Sequence, residues 1–157
     1  MNKKTLIDIV GLPFLLAVVV LGYQFSPLLL PKADLVIQPP AGCDLHQNSC
    51  QVSLPEGGSL VLSMQPRPIP LMTPFQVEVK LEAVDAKSVD VDFTGVEMNM
   101  GLNRFALKDQ GQGSWLTEAS IPVCVTGRME WQATVMILRG KQRISVPFRF
   151  SSGGVGQ

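Results

Sequence analysis

The stretch FQVEVKLE, residues 75–82, alternates apolar and polar residues without a break. A period of two places Phe75, Val77, Val79 and Leu81 on one face and Gln76, Glu78, Lys80 and Glu82 on the other, the pattern of a half-buried β-strand. The same alternation returns in SVDVDF (Val89, Val91, Phe93), in MEWQATVMI (Met129, Trp131, Ala133, Val135, Ile137) and in RISVPFRF (Ile144, Val146, Phe148, Phe150). SLVLSM, LNRFAL and SWLTEASI add three more runs, and PEGG, QGQG and LRGK supply turns between them. About seven short strands in roughly 95 residues predict an all-β fold. The expected architecture is an immunoglobulin-like antiparallel β-sandwich over residues 55–151, with residues 152–157 a flexible tail. Pro147 cannot donate to a ladder, so the last strand is expected at a sheet edge.

The first thirty residues are of another kind. Met1-Asn2-Lys3-Lys4 is cationic, and the chain from Leu6 to Phe25 is apolar except for Asp8 and Gln24. A helix of about 20 residues crosses a bilayer core. Residues 1–30 are therefore expected to form one N-terminal transmembrane helix, with the lysines holding the N-terminus inside and the remainder outside. A cleaved signal peptide is the rival reading, but GYQFSPLLLPKADL lacks the small-residue cleavage pair. Residues 31–54 read as a proline-rich linker.

Charge excludes more than it suggests. Lys plus Arg and Asp plus Glu both number 13, and no basic run is long enough to track phosphates, so nucleic acid is not an expected partner. His46 is the single histidine. That argues against a histidine zinc site and against triad chemistry, and no other catalytic constellation is visible. The chain is expected not to be an enzyme. On the far side of a membrane, Cys43 and Cys50, which bracket DLHQNS, are expected to form a disulfide. Cys124 is then left over, as an intermolecular disulfide partner, a reactive thiol, a metal ligand or a buried small hydrophobe. A thiol-redox role is disfavoured because no Cys-x-x-Cys occurs.

The segment VEMNMG, residues 96–101, is the most suggestive for chemistry. Apolar residues are odd-numbered up to Phe93 and even-numbered from Val96, so Gly95 marks a bulge or bend. On a continuing strand Met98 and Met100 would lie on one face about 6–7 Å apart. Thioethers are soft donors that suit copper(I), and they are also flexible core filler. Cys124 and Met129 flank the TGR turn and could bring a thiolate and a thioether to the same end. Met129 is equally in phase with Trp131 and the core. Met72 could approach that end too, whereas Met64 reads as core and His46 as an exposed residue.

RPIPLMTPFQVEVKL, VDVDFTGVEMNMG, QGQGSW and RMEWQATVMI together resemble the FixH/YtkA-like family of membrane-tethered extracytoplasmic domains, over about residues 59–150. The resemblance implies copper handling and assembly of cytochrome (haem-copper) oxidases in bacterial envelopes. It carries the family's Met-rich loop onto Met98 and Met100; Cys124 has no counterpart in it.

The leading expectation is thus a single-pass protein of the bacterial inner membrane with its C-terminal domain in the periplasm. It would bind copper(I) through Met98, Met100, Cys124, Met129 and Met72, as a copper-binding or copper-chaperone accessory in respiratory oxidase assembly. Its partners would be the inner membrane and a copper chaperone or an oxidase subunit. The alternative is an interaction module without metal, or an accessory subunit of a membrane complex, whose methionines form an adaptable apolar surface.

Overall fold

The computed structural model describes residues 11, 13–22, 33–55, 57–98, 100–122 and 129–152. The chain divides into two units, Met1–Lys32 and Ala33–Gln157. In the first, residues 11 and 13–22 are helical, and apolar side chains from Phe14 to Leu21 are exposed. No helix among the described residues is long and apolar enough to cross a membrane. At about 1.5 Å per residue, residues 13–22 reach roughly 15 Å, half of a ~30 Å bilayer core. The expected transmembrane helix over residues 1–30 is corrected accordingly, its other residues lying outside those described. Anchorage in the inner membrane and a single-pass topology with a periplasmic domain depended on that span and are corrected with it.

The second unit is all-β. Ten strands build it: β1 (Leu35–Val36), β2 (Cys50–Ser53), β3 (Ser59–Gln65), β4 (Phe75–Glu82), β5 (Ser88–Gly95), β6 (Arg104–Ala106), β7 (Lys108–Gly111), β8 (Ser114–Ala119), β9 (Met129–Arg139) and β10 (Gln142–Ser152). They form two five-stranded sheets, ordered β1-β10-β9-β5-β6 and β2-β3-β4-β8-β7. The expected sandwich of about seven strands preceded by a membrane helix is corrected to this arrangement. Two of the added strands come from residues 31–54, expected as linker, and a third from the polar run KDQG. LNRFAL does not form one strand. After β6 the chain changes sheet at the buried Leu107 (6% exposed), and β7 joins the other sheet. One further departure from an antiparallel fold is β1, which runs parallel to β10.

The core is where the alternation puts it. Phe75, Val77, Val79 and Leu81 of β4 face Val89, Val91 and Phe93 of β5, Trp131 to Ile137 of β9 and Ile144 to Phe150 of β10 in one buried cluster. Phe93 receives Phe75, Phe105 and Phe150 edge-on at centroid distances of 5.8, 6.1 and 6.3 Å, the geometry aromatic quadrupoles favour. The Phe75–Phe93 contact joins the two sheets, and it fixes the start of β4 and the finish of β5 at the same end of the domain. Trp131 is fully buried, and its Nε1–H donates to Ser152 Oγ at 2.7 Å. That bond satisfies the indole, which would otherwise be costly to bury.

Residues 33–54 belong to this core. Leu45, Cys50, Val52 and Leu54 are buried in it. The Cys43–Cys50 disulfide is present, with Cα atoms 5.6 Å apart, inside the range that unstrained bridges require.

Candidate functional site

Three loops meet at the end fixed by Phe75 and Phe93. The β3–β4 loop carries Met72, the β5–β6 loop carries residues 96–98 and 100–103, and residues 120–122 follow β8. Hydrogen bonds tie them to one another and to β9. The Met72 N–H donates to the Ile121 carbonyl at 3.0 Å, and Val96 N–H donates to the Glu130 carbonyl at 2.9 Å. The Asn103 side-chain amide donates to the Ser120 carbonyl at 3.2 Å.

Gly95 explains the phase change in the alternation. It ends β5, and among the described residues the next strand starts at Arg104. A Cβ there would collide with the Met129 Cε methyl and lie 2.5 Å from the Met98 carbonyl oxygen and 3.2 Å from Met100 Cγ. Met100 and Met129 thus pack over a bare backbone, Met129 being only 2% exposed. Because the chain leaves the strand at Gly95, Met98 and Met100 do not share a strand face. Met98 is exposed and Met100 half-buried against the core. Met72 is exposed, and Cys124 lies outside the described residues.

The topology therefore brings Met72, Met98, Met100 and Met129 to one end, but two of them act as packing and two face solvent. Among the described residues no group of three or more His, Cys, Asp or Glu could hold a metal ion. The copper-binding and copper-chaperone reading, with its place in oxidase assembly, is corrected on that ground.

Four large apolar side chains are exposed here: Met72 (72%), Val96 (41%), Met98 (43%) and Leu102 (85%). Met72 also has φ +58°, a left-handed backbone that is uncommon for a residue with a side chain and costs about 1–2 kcal/mol. Sequence reasoning placed Leu102 inside a strand. Its parity could have shown otherwise, since Phe105 and Leu107 are the inward residues of that stretch and Leu102 is out of phase with them.

His46 is not exposed. It is half-buried beneath the same end, with its ring edge-on to Phe150 at 6.1 Å. Ile69 N–H donates to Nδ1 at 3.3 Å, and Nε2 bonds the Ser151 carbonyl. An Nδ1 that accepts assigns the hydrogen to Nε2. The ring links the disulfide loop to the β3–β4 loop and to β10.

Comparison of the chain with protein-family models, with curated proteins and with solved structures finds no match. The functional reading rests on the chain's own residues.

Proposed function

We propose that the β-domain is a protein-interaction module that docks a partner through the loop end carrying Met72, Val96, Met98 and Leu102. The observation that carries this reading is the exposure of those four side chains, from two separate loops, on the same end of the domain. Scattered single apolar residues are ordinary on a protein surface, whereas a clustered set points to a binding face. Met72 adds to it, because strained backbone gathers where function requires it. Unbranched methionines let such a face adapt to a partner's shape.

The test is site-specific photo-crosslinking in the native host at positions 72 and 102, with Gln110 beside the β7–β8 turn at the opposite end as control. A discrete adduct with the same protein from both loop positions is the expected result, absent from Gln110 and lost when the other loop position carries glutamate (Leu102→Glu for the probe at 72, Met72→Glu for the probe at 102). Met98→Leu and Met100→Leu together should leave that adduct in place. Met72→Gly separates docking from folding. Relief of the left-handed backbone should hold stability level or raise it by up to about 1 kcal/mol, while the adduct at 102 weakens. Equal crosslinking from all three positions would refute the proposal.

A further inference from the structure

The outer edge of β10 is covered unevenly. β1 pairs with it only at Leu35↔Ile144 and Val36↔Ser145. The last bond on that side is Ile37 N–H to the Ser145 carbonyl, at 2.9 Å. Farther along, the His46 ring holds the Ser151 carbonyl. Between these ties residues 38–43 swing away from β10 and leave a cavity of about 260 Å³. Pro147 supplies the reason for the gap: it offers no N–H to extend the β1 ladder.

The groups facing that cavity follow from the ladder. The β10 register against β9 is unbroken from Gln142 to Ser152. The backbones of Arg143, Ser145 and Ser151 point outward, since they bond Asp34, Ile37 and His46. By the period of two, Pro147 and Arg149 point outward as well. The cavity therefore presents the Pro147 carbonyl, then the Arg149 N–H and carbonyl. Gln38, Pro39, Pro40 and Gln132 contribute to its walls. Among the described residues lining it, Arg149 carries the single charge, and that side chain is exposed with no ion pair to any described residue.

We infer that this cavity captures the C-terminal residue of an extended peptide. Such a residue needs an acceptor for its N–H and donors for its carboxylate. The Pro147 carbonyl supplies the first; the Arg149 N–H and guanidinium supply the second. The peptide's last residue takes the one ladder position that β1 leaves open beyond Ser145, in the sense that β1 runs, and its earlier residues turn out of the sheet, because Leu35, Val36 and Ile37 already fill the positions before it. This combines strand addition with carboxylate capture, two established modes of peptide recognition, and a guanidinium is the side chain best shaped to hold a carboxylate. The volume lies just below the usual small-ligand range of about 300–1,000 Å³, which admits one residue and excludes a full strand. The cavity shares no residue with the loop end, so the two proposals stand or fall separately.

The experiment follows the Arg149 backbone amide of the full chain by NMR while N-acetyl-Gly-Val with a free carboxylate is added. Saturable movement of that amide is expected. The C-terminal amide of the same dipeptide should bind about tenfold more weakly or worse, as loss of a charge-assisted pair implies. Arg149→Gln keeps the backbone donor and should weaken the free acid about tenfold while the rest of the spectrum stays in place. Equal affinity for acid and amide, an unchanged affinity in Arg149→Gln, or acetate binding as tightly as the dipeptide would each overturn the inference.

Discussion

Gly95 shows how much one position can hold. Its lack of a Cβ lets Met129 and Met100 close over the end of β5 and lets the Met98 carbonyl fold back toward it. A methionine tip can swing aside, but a backbone carbonyl at 2.5 Å cannot move without shifting the 96–103 loop. Gly95→Ala is therefore expected to destabilise the domain by about 1–3 kcal/mol, the usual range for overpacking, read as a lower denaturation midpoint at unchanged slope. The change of parity at Gly95 was legible in the sequence. What sits above the glycine was not, because Met129 arrives from a strand more than thirty positions away. Composition likewise gave no sign that His46 bridges residues as distant as Ile69 and Ser151; contacts of that separation are settled only by the folded topology.

Among the elements, the short strands at the sheet edges depend on ties outside the ladders. β2 contributes Cys50 and Val52 to the core, and the disulfide anchors the loop that leads into it. Closing a loop of sequence separation 7 lowers the entropy of the unfolded chain by an amount worth about 2–3 kcal/mol. Replacing both cysteines by alanine should lower stability by that much under oxidising conditions, and the difference from the parent chain should largely vanish in reductant. Equilibrium denaturation with and without dithiothreitol measures it. β10 makes the complementary point. Pro147 in the sequence marks β10 as an expected edge strand. In the structure β10 has a neighbour on each side, but the outer one stops before the proline. The missing N–H governs where pairing ends along the strand, and it does not fix the strand's rank in the sheet.

For the whole molecule, the boundary that matters is Ala33, where the second compact unit starts. A chain of residues 33–157 is expected to unfold in a single cooperative transition. A chain of residues 55–157 lacks β1, β2 and the buried Leu45, Cys50, Val52 and Leu54. At about 1.5–3 kcal/mol for each large apolar side chain, that loss rivals the total stability of about 5–15 kcal/mol available to a domain. The shorter chain should show no cooperative thermal transition by circular dichroism, and a sharp one would contradict this account of the core. The proline-containing composition of 31–54 reads as linker since short edge strands carry little alternation, while a few apolar residues among turns suffice to complete a core built mainly by other strands.

The sequence by itself determined that this chain is built of strands, which residues face inward on the long ones, where the disulfide closes and where the alternation breaks. Those are local properties: a period of two, a missing N–H, a missing Cβ. Only the tertiary structure decided that residues 33–54 complete both sheets, that Met100 and Met129 are packing while Met72 and Leu102 face solvent, and that a gap opens beside Pro147. Each of these depends on which distant segments are brought side by side, and side-chain exposure is a property of that arrangement rather than of residue type.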